Sequence, residues 1–180
     1  MKKTLLFFTA VFFGGCTMAQ KYSSKTGKVS FEASVPMFED VEAKDNSNVV
    51  ILNSDTGEIA SVSNVKNFKF SNSLMQEHFN ESYAETSKYP KATFKGKISN
   101  FDKSKLANSA KYTIQGTLNF HGVDRAVSSS ATIYSKDGKI FISGSFIART
   151  ADYNVTIPKM VTKKIAENVN VEYDYTLVKQ

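Results

Sequence analysis

The side chains that could act as bases near neutral pH are His78 and His121, and neither has the surroundings of a catalytic residue. Nucleophilic catalysis needs a hydroxyl or thiol beside a base that a third group orients. No serine occupies a Gly-x-Ser-x-Gly turn, and Gly144-Ser145 resembles one in composition alone. The segment Gln76-Glu77-His78 with the distant His121 lacks the close spacing of a zinc site. The sequence therefore predicts no enzyme, no metal and no cofactor.

Each histidine also has a structural interpretation. His78 falls in a predicted helix, and we expect it to pack where that helix meets the strands, with its ring hydrogen-bonded to a neighbouring strand. His121 lies in the only His-Gly turn of the chain, and Arg125 follows just beyond that turn. The imidazole either satisfies loop carbonyls or meets an anionic head group together with Arg125. The sequence leaves both roles of His121 open.

The positive charge is carried mainly by lysine. The chain has 23 Lys and Arg against 17 Asp and Glu, yet Arg125 and Arg149 are its only arginines. Recognition of phosphates and bases favours clustered arginine, whereas these lysines are scattered along predicted strands and turns. The pattern predicts a solvated surface and no nucleic-acid partner. It leaves open a transient contact with the anionic head groups of a membrane surface.

The first residues predict an export signal. Lys2-Lys3 precede an apolar run, Leu5 to Phe13, that is too short to span a bilayer. Thr17-Met18-Ala19 then places small residues at the positions that signal peptidase reads. We expect residues 1–19 to be a signal peptide and residues 20–180 to be one domain, located in the periplasm or secreted.

Cys16 supports an alternative to cleavage after Ala19. Phe13-Gly14-Gly15-Cys16 resembles a degenerate lipobox, in which Cys16 would be lipidated and would anchor the protein at a membrane. Phenylalanine fits that motif poorly, so the sequence favours the ordinary signal peptide. Cleavage would remove the single cysteine, and the mature chain would then be stabilised by packing without a disulfide.

Alternation of apolar and polar residues predicts an all-β fold. Asp137-Gly138 predicts a tight hairpin, because both central positions of the favoured turn take positive φ. About eight short strands joined by hairpins indicate a closed antiparallel barrel or a sandwich, and closure would leave no exposed strand edge. The predicted strands cover residues 28–35, 40–44, 48–53, 58–62, 91–98, 112–120, 127–134, 139–148 and 169–178.

Two further features interrupt or connect these strands. Ser73, with Gln76 three residues later, predicts the cap of a short helix over residues 74–80, and a second helical turn is expected near residues 160–167. Gly116 and Gly144 lie inside strand patterns, where glycine marks a bend, a bulge or the close approach of another group.

Several spaced segments resemble the YceI-like family of exported, lipocalin-like proteins. The segments are Gly27–Phe31, Asn67–Glu81, Tyr89–Phe94 and Gly116–Arg125. The resemblance implies a closed antiparallel barrel of about eight strands with one short helix near one end. It also implies a long apolar lumen that holds a polyisoprenoid, a quinone or a fatty acyl lipid. Because periodicity does not distinguish an open lumen from a filled one, an exported non-enzymatic stress or interaction protein with a filled barrel is the alternative.

The same resemblance implies which residues bind the ligand, and it leaves the oligomeric state open. The polar mouth would consist of His121, Arg125 and Arg149. The family often has an arginine followed by an aspartate, an aromatic residue and a glycine near the last hairpin; this chain has Arg149 to Asn154, with asparagine at the glycine position. The implied lumen walls are Phe31, Phe70, Phe79, Tyr112, Ile114, Leu118, Phe120 and Phe146.

Overall fold

A computed structural model of the protein describes residues 20–180, which fold into a closed antiparallel β-barrel with one short α-helix. The predicted fold is confirmed, while the predicted signal peptide and Cys16 lie outside the described residues. A two-residue strand, β4 (Lys69–Phe70), pairs with one barrel strand. The eight barrel strands are β1 (Lys21–Glu32), β2 (Glu42–Asn53), β3 (Glu58–Asn64), β5 (Lys91–Ile98), β6 (Ala110–Phe120), β7 (Val123–Lys136), β8 (Lys139–Arg149) and β9 (Asn168–Lys179).

The strands follow one another around the barrel almost in chain order. The order is β1-β9-β8-β7-β6-β5-β3-β2, and the pairing of β2 with β1 closes the sheet. The hairpin between β7 and β8 turns at Asp137 and Gly138, whose φ angles are 52° and 72°, so the predicted turn is confirmed. Connections between neighbours explain why the sequence shows short strands separated by turn residues.

Strand β2 unites two strands that the sequence predicts separately, residues 40–44 and 48–53. The register between β1 and β2 shifts on both sides of Gly27, which pairs with Asn48. This bulge breaks the strict alternation of inward and outward side chains, because Asp45 and Asn48 both point inward although they are three residues apart. The interruption in the pattern reflects a bulge and not a loop.

The helix α1 (Ser73–His78) continues into a π-helical turn over Phe79–Tyr83. Its cap is Asn72 and not Ser73 as predicted. The Asn72 side chain accepts hydrogen bonds from the backbone N–H groups of Leu74 at 2.9 Å and Met75 at 3.2 Å. The helical turn expected near residues 160–167 appears as hydrogen-bonded turns over residues 159–164, where the backbone N–H groups of Lys164 and Ile165 donate to the carbonyl of Val161 at 2.8 Å and 3.2 Å.

One end of the barrel is filled by aliphatic side chains. We call it the packed end; it carries the β2–β3 and β7–β8 turns, and its core continues into Tyr175. Leu106, from the β5–β6 connection, closes it from outside the strands. No α-helix within residues 20–180 is long and apolar enough to cross a bilayer. The core residues include Val50, Leu52, Ile98, Leu106, Ile133, Ile140, Ile142 and Leu177.

A cavity at the open end of the barrel

The opposite end, which we call the open end, contains a cavity of about 470 Å³. This volume lies within the range of about 300–1,000 Å³ that is typical of small-molecule sites. The lining is predominantly apolar, and Phe38, which is half exposed, forms part of it, so the cavity reaches the surface. The inward aromatic side chains therefore enclose space at this end and do not meet across it.

The structure places most of the expected lumen residues around this cavity. Tyr112 does not line it, contrary to the expectation from the resemblance. Its ring lies 6.3 Å from that of Phe101, against the core of the packed end. The reason is its position on β6, one inward step from Ile114 towards the packed end. The expected residues that line the cavity are Phe31, Phe70, Phe79, Ile114, Leu118, Phe120 and Phe146.

A cluster of four phenylalanines forms one wall near the mouth. Phe31 from β1 contacts Phe68, Phe70 and Phe79 with ring centroids 5.3–5.7 Å apart. The ring centroid of Phe79 also lies 5.2 Å from that of Phe70, and the two rings are tilted by 50°. These contacts attach the end of α1 to β1 and β4, and they explain why the short helix stays on the barrel.

The mouth is built from residues 33–41, helix α1 with its π-helical turn, and the connection between β8 and β9. The Nδ2 of Asn72 donates to Oε1 of Glu39 at 3.1 Å. The backbone N–H of Ala166 donates to the carbonyl of Ala33 at 2.8 Å. Arg149, Lys164 and Glu39 line the cavity here, so the charged side chains of the mouth are two cations and one carboxylate. His78 lies exposed at the same rim. Among residues 20–180 its ring has no hydrogen bond to a strand, although the sequence predicts one.

His121 is buried outside the cavity lining, contrary to the role at the mouth that the resemblance implies. Its Nδ1 lies 3.0 Å from the carbonyl oxygen of Tyr153, and its Nε2 lies 2.7 Å from Oε2 of Glu85. Both partners are acceptors, so the ring meets both of them when both nitrogens carry a hydrogen. The ring also packs edge-on against Tyr89 at 4.4 Å. Of the two roles that the sequence leaves open, the structure favours the one in which His121 joins loops.

Arg125 is likewise absent from the cavity lining. It is exposed on β7 and donates to the carbonyl of Asp124 at 3.1 Å. Its charge lies near Tyr153, whose pKa is raised mainly by burial and further by Asp152, while Arg125 acts in the opposite direction. Arg149 is therefore the one residue of the expected polar mouth that borders the cavity. Asn154 adopts a left-handed φ of 56°, the conformation that glycine would favour at this position.

The floor of the cavity is made of aromatic rings that lie over glycines. A Cβ on Gly116 would meet Cζ of Phe94 at 2.7 Å, and a Cβ on Gly144 would meet the hydroxyl of Tyr173 at 2.4 Å. Tyr175 covers Gly27 in the same way, and its ring stacks on Tyr173 at 5.2 Å. The in-strand glycines therefore make room for the rings that separate the cavity from the packed end.

Polar side chains that the alternation pattern of the sequence does not predict also lie along the inner part of the cavity. Asn48 of β2 and Ser63 of β3 are joined by a 2.7 Å hydrogen bond. Ser129 lies 2.7 Å from the hydroxyl of Tyr173 and donates to the carbonyl of Ser145 at 2.8 Å. The signal that could reveal them is a polar residue at an inward position, as in the alternation from Ile59 to Ser63. Within residues 20–180 no three His, Cys, Asp or Glu side chains lie close enough to hold a metal ion.

Two comparisons with solved structures support the architecture. A polyisoprenoid binding domain from Saccharophagus degradans implicated in plant cell wall breakdown superposes with a TM-score of 0.75 at 15% identity, covering 90% of this chain and 99% of that one. BcnA from Burkholderia cenocepacia superposes with a TM-score of 0.71 at 18% identity, covering 84% of this chain and 96% of that one. At these identities the similarity shows the fold alone.

A third structure and a family model extend the comparison. The YceI protein of Campylobacter jejuni gives a TM-score of 0.54 at 21% identity over 72% of this chain and 80% of that one. A search of curated proteins gave no match. The model of the YceI-like domain matches residues 9–177, nearly the whole chain, so the protein belongs to the YceI-like family.

Proposed function

We propose that this protein is a non-enzymatic carrier that holds a long apolar chain in the cavity at the open end of its barrel. The observation that carries the proposal is a largely apolar cavity of about 470 Å³ that begins at an aromatic floor and reaches the surface. The family relationship and the polyisoprenoid binding of the Saccharophagus degradans domain support a polyisoprenoid, a quinone with an isoprenoid tail or a fatty acyl lipid as ligand.

The shape of the site favours an elongated ligand. Ile114 lies at the floor and Phe120 at the mouth end of the same strand. Six residues of strand at about 3.3 Å each give a path of about 20 Å along the wall. Each buried CH₂ of a ligand contributes about 0.8 kcal/mol, so a chain of this length binds through burial alone. The cost of ordering a flexible chain offsets part of this gain.

The polar groups at the mouth orient such a ligand. Arg149 and Lys164 are the cations that line the cavity within the described residues, and both lie at its rim. An anionic or polar head group is best solvated there, while the chain extends towards the floor. Exposed apolar side chains near the rim, Phe38 and Met160, suit a transient contact with a membrane surface during loading.

Filling the cavity tests the proposal. Val127 lines the cavity on β7, whereas its neighbour Ala126 is exposed on the outer face of the same strand. We expect Val127→Phe to weaken uptake of a polyprenol, an isoprenoid quinone and hexadecanoate about tenfold or more, since overfilling costs about 1–3 kcal/mol. Ala126→Phe is the matched control and should leave uptake unchanged. The measurements are native mass spectrometry and fluorescent-probe displacement.

Failure of all three probes to bind the wild-type protein would contradict a carrier. It would support the alternative of an exported stress or interaction protein whose barrel interior binds no ligand. Equal uptake by wild type and Val127→Phe would show that the probes bind outside the cavity. Protein purified without added lipid should also carry a bound mass in native spectra.

We further propose that the protein is exported, with residues 1–19 removed as a signal peptide. The sequence supports cleavage after Ala19, and Cys16 offers the less favoured route of lipidation. The mass of the mature protein, isolated from the cell envelope or the medium, distinguishes a chain that begins at Gln20 from a lipidated one. Fatty-acid labelling that is lost in Cys16→Ala would contradict the signal-peptidase route.

A further inference from the structure

The side chain of Asn48 lies in the cavity wall, and one atom of its amide is buried there without a hydrogen-bond partner among residues 20–180. Asn48 is 2% exposed and lines the cavity wall on β2. Its Nδ2 donates to Oγ of Ser63 at 2.7 Å, while its Oδ1 has no hydrogen-bond partner among residues 20–180. A buried polar atom that lacks a partner costs about 1–3 kcal/mol, and a ligand group that reaches and pairs with it relieves that cost, which offsets the desolvation of the ligand group.

One atom of the Asn48 amide lacks a hydrogen-bond partner in either orientation of the amide. The Ser63 hydroxyl can donate as well as accept, so it pairs with either end of the Asn48 amide. In one orientation Oδ1 is left to accept a hydrogen bond, and in the other Nδ2 is left to donate one. A ligand hydroxyl or primary amide serves both cases, because each of these groups donates and accepts.

Asn48 lies at the end of the cavity that is farthest from the mouth. It pairs with Gly27, which is covered by the ring of Tyr175 in the floor. The next inward residue of β2 is Val50, which is fully buried in the packed end. The free amide group therefore meets the inserted end of a bound chain and not its head group.

The charges around the floor favour a neutral group there. The charged side chains that line the cavity in the described chain, Glu39, Arg149 and Lys164, lie at the mouth. The carboxylate of Asp45 lies near Tyr175, and together with burial, the larger effect, it raises the pKa of that tyrosine. No cation of residues 20–180 lines the floor, so an inserted carboxylate or phosphate would be buried without a counter-charge from them.

We propose that the floor is a second polar subsite, in which Asn48 binds a neutral hydroxyl or amide at the inserted end of a long apolar ligand. The inference rests on the proposed function, since it assigns the ligand class of the same cavity. A carrier with this subsite selects chains that are polar at both ends: an anionic or polar head at the mouth and a neutral hydrogen-bonding group at the far end.

The test compares hexadecanoate with 16-hydroxyhexadecanoate, together with shorter and longer pairs of the same design. For each protein the Kd ratio of the hydroxylated to the plain acid isolates the effect of the inserted hydroxyl. In wild type the ratio should be near one for chains long enough to reach the floor, because Asn48 offsets the desolvation of the hydroxyl. In Asn48→Leu the ratio should rise about tenfold, as expected from the loss of one buried hydrogen bond.

Phe146→Leu is the control, since Phe146 borders the cavity away from the floor. This variant should weaken both acids equally and leave the ratio unchanged. A wild-type ratio well above one at every chain length would overturn the subsite, and this result does not require Asn48→Leu to fold. An equal ratio in wild type and Asn48→Leu would overturn it as well. If neither acid nor a polyprenol binds wild type, the proposed carrier function fails, which is a separate result.

Discussion

The two ends of the barrel are built from the same strands, yet one is filled and the other encloses a cavity. On β9, Leu177 is fully buried in the packed end, whereas Val171 lines the cavity. The difference lies in how side chains use the space across the barrel. At the packed end aliphatic side chains meet at the axis, and Leu106 closes it from outside. At the open end the phenylalanine rings near the mouth pack against one another along one wall, and the rings over glycines form the floor, so the axis above the floor is free.

The largest expected change in the free energy of unfolding comes from truncating a side chain, and the two ends should differ in its size. Ile133→Ala should lower the free energy of unfolding by about 4 kcal/mol, because it creates a cavity in a close-packed core where the side chain is fully buried. Phe146→Ala should cost only about 1 kcal/mol, since its ring already borders a cavity and loses fewer contacts. Urea unfolding followed by circular dichroism measures both. Equal losses would show that the open end is packed as tightly as the other.

The glycines provide a second test of the boundary between the ends. A Cβ on Gly116 would lie 2.3 Å from the carbonyl oxygen of Lys95 and 2.5 Å from Cα of Gly96. These are backbone atoms that cannot move aside, so Gly116→Ala should cost about 3 kcal/mol. Gly138→Ala is the control: a Cβ there meets nothing within 4 Å, and only its φ of 72° is strained, at about 1 kcal/mol.

The same geometry makes Gly116 a poor position for blocking ligand uptake. Any side chain there disturbs the backbone of β5 and β6 whether or not a ligand binds. A cavity-filling change is better placed at Val127, which pairs with Gly116 and already has a side chain in the cavity. If Gly116→Ala proves as stable as wild type, then β5 and β6 do not lie as close together at Gly116 as the structure shows.

The floor tyrosine gives a third prediction, which depends on pH. Burial raises the pKa of Tyr175, so the folded protein keeps its phenolic proton at a pH where the unfolded chain has lost it. Stability should therefore hold below pH 10 and fall as the pH rises above it, by about 1.4 kcal/mol per pH unit for this residue.

Tyr175→Phe keeps the ring and removes the titration. Its free energy of unfolding should not show this share of the alkaline loss. The difference between the two proteins should be constant below about pH 10, where it reflects the lost hydrogen bond to Ser61, and should change only above that pH. Urea unfolding in a pH series measures it. A constant difference from pH 8 to 12 would place Tyr175 in contact with water, outside the floor.

Much of the fold follows from local patterns in the sequence, and the site follows only in part. Alternation along β6 and the Asp137-Gly138 turn identify strands and a hairpin because both signals are local. The bulge at Gly27 cannot be read this way, since it depends on the register of two strands. Tyr112 and Leu118 share one inward face, and only the three-dimensional filling of the barrel separates the core from the cavity.

The positions of the polar residues follow less directly from the sequence. His121 and Arg125 lie close in sequence to residues of the mouth, but the positive φ of 50° at His121 turns its ring towards Glu85 and away from the cavity. Asn48 does not stand out in the sequence, because the alternation pattern assigns a polar residue within a strand to the outward face. A bulge reverses that assignment, so inward polar residues need the register of the strands, which the sequence alone does not provide.

The smallest expected change in the free energy of unfolding concerns the mouth, where the sequence and the structure differ on which residue caps helix α1. The sequence predicts Ser73 as the cap of α1, whereas in the structure Asn72 accepts the two backbone hydrogen bonds and also donates to Glu39. Asn72→Ala should therefore cost about 1 kcal/mol, whereas Ser73→Ala should stay within about 0.5 kcal/mol. Because helix α1 borders only the open end, hydrogen exchange should accelerate around residues 73–83 in Asn72→Ala and remain unchanged in the packed end. Faster exchange at both ends would mean that the two ends unfold as one cooperative unit. The packed end and the open end would then differ in how tightly their side chains pack and not in local stability.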